Sequence, residues 1–269
     1  MSKQAPSRPQ GNVSRPQGTA TKLLADARKS GALSPTSATV LDVVDLGAQI
    51  QAGLGIAVDD VAASEVVLVT MMPDDSQSIA AAGNTAAVRD GHNLVLAALR
   101  KSRQAGDVFV HTRYLNGTIL YPYVGLADAV AMDTSNYDPR HATPLYDQTV
   151  VLLGTVIAKS AELAAAGVPV RTVTLLITDG GDYGSTRATA KDVRALVHDL
   201  VAQENHVVAA MGIRDGTTDF AKVFRDMGIA DRWILTPGNT AGEIRKAFQV
   251  FSQSAAAVSV GAWAGGFGN

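Results

Sequence analysis

The chain has no cysteine, which excludes disulfides and thiolate-bound metal and leaves the redox compartment unspecified. Charge is scarce: 18% of residues are charged, and 23 basic against 25 acidic side chains leave a net −2. So even a balance gives no electrostatic reason for nucleic acid or a membrane surface to be the principal ligand. No apolar leader with a small-residue cleavage site opens the sequence, and no apolar run reaches the length of a membrane span. The expectation is a cytoplasmic protein. There is also no phosphate-cradling G-x-x-x-x-G-K-[ST] loop. What is present is 46% hydrophobic content over 269 residues, enough to bury a sizeable core without staples.

Residues 1–18 are Ser, Pro, Gln and Gly with a few basic residues, too polar to bury anything, and read as a disordered tail. The pentapeptide SRPQG occurs there twice, from Ser7 and from Ser14. Residues 19–64 form an N-terminal extension. Thr19 to Gly31 reads as a short helix capped by Thr19 or Thr21 and stopped at the glycine. In Leu33 to Ala63 the residues Val40, Val43, Val44, Leu46 and Ile50 can share a helix face, but Gly47, Gly53 and Gly55 interrupt it. Its packing partner is not legible. Residues 255–269 are a Gly-rich tail in which Trp263 and Phe267 suit either a loose end or a docking segment.

Between residues 65 and 254 the pattern is regular. EVVLVTMM from Glu65 is a near-continuous apolar run, as expected for a strand buried on both faces of a parallel sheet. Ile79 to Gln104 reads as one helix with Val88, Leu94, Val95, Ala98 and Leu99 on its apolar face. DVFVHTRYL and TILYPYV are strand-like and joined through Asn116-Gly117, a hairpin signal. A long helix over Leu145–Ala166 ends at Gly167 and Pro169, and RTVTLLITD is a second buried strand. Helices over Thr189–Gln203, Thr218–Met227 and Thr240–Ser254 alternate with strands HVVAAMGI and RWILTP. Alternation of this kind specifies an α/β fold: a doubly wound, mostly parallel sheet with helices on both faces.

Ligands of such sheets sit at the carboxyl ends of the strands, and three polar clusters fall at or near those edges. They are Pro73-Asp74-Asp75-Ser76-Gln77-Ser78, His141-Ala142-Thr143-Pro144-Leu145-Tyr146-Asp147, and Asp179-Gly180-Gly181-Asp182. A hard dication such as Mg²⁺ takes oxygen ligands in near-octahedral geometry and keeps several waters. Asp74, Ser76 and Ser78 are spaced two apart, so a turn leaving a strand can aim three oxygens at one point, with Asp74 acting directly or through water. Thr143 and Asp179 would approach from neighbouring loops.

The D-x-S-x-S run at Asp74, the threonine loop with T-P-L at Thr143 and the T-D-G turn at Thr178, in that order, resemble the von Willebrand factor A domain family over Glu65 to Ser254. The resemblance implies a metal-ion-dependent adhesion site (MIDAS) at the top of the sheet. By motif position Asp74, Ser76, Ser78, Thr143 and Asp179 would hold Mg²⁺ or Mn²⁺, with one position left open for a partner's carboxylate. Gln77 departs from the glycine that many members have there. Asp75 is read as an additional, solvated carboxylate, and Asp182 as either a group behind the metal or a cap on the turn. Met71 and Met72 are read as packing, His111 as an ordinary sheet residue and His141 as a surface histidine.

The function expected is a non-catalytic protein-binding module. Intracellular bacterial members of the family serve as adaptors, so the resemblance permits an AAA+ ATPase or a stress-cluster protein as partner. Two other readings stand beside it. In a haloacid-dehalogenase-type phosphohydrolase Asp74 would be the nucleophile, but that chemistry wants a second aspartate where Ser76 stands. In a self-assembling structural protein, the tails and the Val40–Ile50 segment would dock between copies.

Overall fold

The computed structural model describes residues 18–42, 45–102, 105–259 and 265–267. The SRPQG repeats, except for Gly18 at the end of the second, and Val43, Val44 and Trp263 lie outside the described residues. The core is a six-stranded sheet of β1 (Val66–Pro73), β2 (Val108–Arg113), β3 (Ile119–Gly125), β4 (Val170–Thr178), β5 (His206–Gly212) and β6 (Ile234–Leu235), in the order β3-β2-β1-β4-β5-β6. β3 runs antiparallel to β2 through the expected hairpin, and the other neighbours are parallel. Every residue of β1 is buried, Met71 and Met72 included, which is why that strand reads as a near-continuous apolar run.

The single helix expected over Ile79–Gln104 is two: α4 (Gln77–Ala81) and α5 (Thr85–Arg100), broken at Gly83 with φ 74°. The buried face of α5 is Val88, Gly91, His92, Val95, Leu96 and Leu99, turned slightly from the one expected. α5 packs on the closing helix α9 (Ala241–Ser259), which also lies on β1 and β4. The other face of the sheet is covered by α6 (Leu145–Ala165) and α7 (Ala190–Val201), with the short α8 (Phe220–Asp226) beyond α7.

α9 continues past the boundary expected at Ser254, and its Ala255 and Val258 are buried. Farther on, Phe267 sets its ring edge-on against Trp233 at 5.2 Å and donates its N–H to the Arg232 carbonyl. This part of the C-terminal segment is docked on its own domain rather than loose.

The N-terminal extension forms α1 (Thr19–Lys29), α2 (Pro35–Leu41) and α3 (Leu46–Gly53). Neither threonine caps α1; Gly18 occupies the N-cap. All three helices pack on α6, and Ala20, Leu24, Ala27, Leu41, Leu46 and Ile50 join the main core. This outer layer explains why α6 is apolar nearly all round: it is buried between the sheet and a second layer of helices. The described part of the extension is therefore part of the domain, and these six residues are not free to dock between copies. It also blocks the sheet edge. Ile56 N–H donates to the Tyr123 carbonyl of β3 at 2.8 Å, and a Cβ on Gly55 would lie 1.9 Å from that oxygen, so only glycine permits the approach.

Candidate metal centre

β1 and β4 are neighbours at the point where the strand order reverses, in a register that sets Pro73 opposite Ile177. Continuing one residue brings Asp74 beside Thr178. The Thr178 hydroxyl donates to Asp74 Oδ2 at 2.7 Å, the Asp179 N–H to the same oxygen at 3.4 Å, and the Ser76 N–H to Asp74 Oδ1 at 2.7 Å. The Tyr137 hydroxyl donates to the Asp74 main-chain carbonyl at 2.5 Å. The Asp74 carboxylate is fully buried, with both oxygens oriented.

Ser76 is the N-cap residue of α4, and its hydroxyl lies 2.8 Å from that of Ser78, which donates to Asp179 Oδ1 at 2.6 Å. Side-chain and backbone hydrogen bonds thus join Asp74, Ser76, Ser78 and Asp179 into one cluster. Thr143 is brought to the same edge through its backbone. It pairs in both directions with Tyr183, four residues after Asp179, at 3.0 and 2.8 Å. On the other side of its loop, Arg140 and His141 N–H groups donate to the Asp75 carbonyl, and Gln77 N–H to the His141 carbonyl. All three motifs are stitched into one loop layer.

Asp75 is not solvated. It is buried, its Oδ1 accepts from the Asn116 N–H at 3.0 Å, and its Oδ2 lies 3.9 Å from Nε2 of the exposed His141. It therefore holds the β2–β3 hairpin turn against the site. Asp182 accepts from the Tyr146 N–H at 3.1 Å and from the Ser185 hydroxyl at 2.5 Å, so it caps the start of α6. Asp147 accepts from the N–H groups of Thr186, Arg187 and Ala188. His111 is a buried sheet residue whose Nδ1 meets the Tyr121 carbonyl at 2.8 Å. Tyr137 escapes sequence reasoning, because a loop tyrosine bears no mark of the carboxylate it serves, and Thr178 is legible there as part of the T-D-G turn but not as a donor to Asp74.

Burial pushes Asp74 above the usual carboxylate range against the pull of its Ser76 and Thr178 bonds. It pushes Asp179 to about 6, helped by the charge of Asp74, and Asp75 to about 6. Among the described residues no basic side chain pairs with Asp74 or Asp179, so their charge is uncompensated by protein.

The donor set fits a hard dication. Adjacent ligands of an octahedral Mg²⁺ at about 2.0–2.1 Å stand about 2.9 Å apart, close to the Ser76–Ser78 and Ser78–Asp179 separations of 2.8 and 2.6 Å. Ser76, Ser78 and Asp179 would touch the metal, and Asp74, with its oxygens already engaged, would act through water. The same engagement speaks against Asp74 as a phosphohydrolase nucleophile. Ser76, two residues on, is no acid/base.

No known family's sequence pattern matches the chain, and no curated protein matches it. Solved structures do. Proximal thread matrix protein 1 from the mussel byssus, in a form with a zinc-occupied MIDAS motif, superposes with a TM-score of 0.51 at 17% identity over 71% of this chain and 46% of that one. The pilus adhesin SpaC from Lactobacillus rhamnosus GG superposes with a TM-score of 0.51 at 12% identity over 72% of this chain and 31% of that one. This chain spans less than half the length of either protein. The likeness is one of fold: the chain has the doubly wound α/β fold of a von Willebrand factor A domain.

Proposed function

We propose that this chain is a non-catalytic protein-binding module that uses a bound Mg²⁺ or Mn²⁺ to take a carboxylate from a partner protein. The observation behind this reading is the run of oxygens Ser76 Oγ, Ser78 Oγ and Asp179 Oδ1 at octahedral-edge spacing, backed by the buried Asp74. Hydroxyl ligands leave a dication incompletely neutralised, so an incoming carboxylate is attracted to it, and a directional bond of this kind makes an interface hot spot. The sequence resemblance suggests an AAA+ ATPase or a stress-cluster protein as partner.

Titration calorimetry with each ion tests the core of the proposal. Wild type is expected to bind either ion with heat that Asp74→Ala abolishes. Absence of heat with both ions at high concentration would overturn it. Turnover of p-nitrophenyl phosphate in Mg²⁺, lost in Asp74→Asn, would move the chain to the phosphohydrolase class instead.

A further inference from the structure

Among the described residues Tyr183 is the most exposed large hydrophobic side chain, at 78%. The others exposed are Val130, in the loop after β3, and Val201, at the end of α7. Tyr183 stands on a rigid mount: its N–H donates to the Thr143 carbonyl and its carbonyl accepts from the Thr143 N–H. The two residues are therefore a hydrogen-bonded antiparallel pair. In such a pair the Cα atoms lie about 5.5 Å apart and both side chains leave the same face. The Tyr183 ring thus rises beside the buried Thr143 side chain, from the loop that leaves Asp179. The exposed neighbours on this rim, Gln77, Ser78 and Ala142, are polar or small.

An aromatic ring fixed by its backbone and held in water gains nothing for the folded chain, yet it loses little conformational freedom when something covers it. We infer that Tyr183 is the apolar anchor of the partner-binding face, and that the partner presents an extended segment with an acidic residue two positions from a large aliphatic one. This rests on the metal reading above. Alternate side chains on one face of an extended segment are about 6.6 Å apart, and Tyr183 is tied by its backbone to the Thr143 loop, which is stitched to the loop bearing Ser76 and Ser78. The acidic side chain would reach the metal while the aliphatic one covers the ring. The positive charge of the metal selects the first residue and the ring selects the second.

The test uses full-length protein in Mg²⁺ and three blocked pentapeptides, followed by heteronuclear NMR titration. One has Asp-Gly-Leu at its centre, one Asp-Gly-Ser and one Asn-Gly-Leu. Wild type is expected to bind the Asp-Gly-Leu peptide about tenfold more tightly than the Asp-Gly-Ser peptide, the scale of a leucine partly withdrawn from water. In Tyr183→Ser the ratio is expected to fall to about one, with an unchanged melting temperature certifying the fold. A wild type without preference for leucine, or a Tyr183→Ser protein that keeps it, overturns the anchor and leaves the metal reading standing. Equal binding of the Asn-Gly-Leu peptide, or binding that survives a chelator, overturns the metal reading itself. No binding by any peptide overturns both.

Discussion

The Ser78 hydroxyl donates to Asp179 Oδ1 at 2.6 Å across a sequence separation of 101. That bond fastens the loop leaving β1 to the loop leaving β4, and in metal-free protein it is one of few interactions that relieve the Asp179 charge. A carboxyl held at about 6 rather than 3.8 costs folding on the order of 1–3 kcal/mol at neutral pH. Its pKa is raised, so the penalty is absent below 3.8 and grows as pH rises through about 6. Metal-free Asp179→Asn should therefore melt a few degrees above metal-free wild type at pH 7 and level with it at pH 4. Added Mg²⁺ should raise the wild-type melting temperature and leave the variant unmoved. Scanning calorimetry of the two proteins, with chelator and with Mg²⁺, checks this.

Three histidines act with the opposite sign. Burial lowers His92 and His206 to about 4 and His111 to about 3 from 6.5. Each folded pKa is depressed, so stability is full above 6.5 and drains away as pH falls towards 4, by at most about 1.4 kcal/mol per pH unit for each group. In metal-free protein the raised carboxyls Asp75 and Asp179 regain stability on acidification over nearly the same window. Urea unfolding from pH 7 to 4 should accordingly give a steeper loss with Mg²⁺ than with chelator. His206→Asn keeps an acceptor or donor for the Thr172 hydroxyl, now 2.7 Å from Nδ1, and should flatten the slope in both conditions. An unchanged slope would remove His206 from the account.

The N-terminal layer should behave as core. Ile50 is fully buried against α6, so Ile50→Ala should cost about 2–5 kcal/mol. A Cβ on Gly154 would lie 2.6 Å from Ile50 Cδ1 and 2.9 Å from Leu41 Cδ2. Gly154→Val should therefore destabilise by about 1–3 kcal/mol through overpacking. Deleting residues 1–63 should give aggregated or unfolded protein. A soluble truncation that melts with full length would show that the layer is dispensable.

The strand–helix order and the clustering of Asp74, Ser76, Ser78 and Asp179 were legible because strands buried on both faces print as continuous apolar runs and the polar clusters stand at their ends. The outer layer was not, since Val40, Leu41, Leu46 and Ile50 are interrupted by Gly47 and by turns, and a short helix declares its face only against a partner. A signal did exist in α6. Across Leu145–Ala165 only Asp147, Lys159 and Glu162 are charged, and a helix apolar all round needs cover on both sides. Asp75 was misread because two adjacent carboxylates look solvated; the groups that enclose it come from the Asn116 turn and the Arg140–His141 loop, far along the chain. The docking of Phe267 likewise is made by Trp233 and Phe251, rings from two distant parts of the chain.

Asp75 also yields the sharpest separation of charge from architecture. Its Oδ1 fixes the hairpin turn through the Asn116 N–H, a bond that an asparagine oxygen can accept equally well. Its charge, buried one residue from Asp74, acts on the site through space, and residues behind metal ligands typically tune affinity by about 10–100-fold. Asp75→Asn should therefore keep the fold, with a metal-free melting temperature at or above wild type because a buried carboxyl held at about 6 has been neutralised. Its Mg²⁺ affinity should fall about tenfold, the low end of that range. Asp75→Ala removes the acceptor as well, leaving the half-buried Asn116 N–H without its side-chain partner, and should lose about 0.5–1.5 kcal/mol of stability in addition. Calorimetric Mg²⁺ titration of the two variants, paired with thermal melts, decides between the roles. If Asp75→Asn binds Mg²⁺ as tightly as wild type while Asp75→Ala is destabilised, Asp75 serves the hairpin alone.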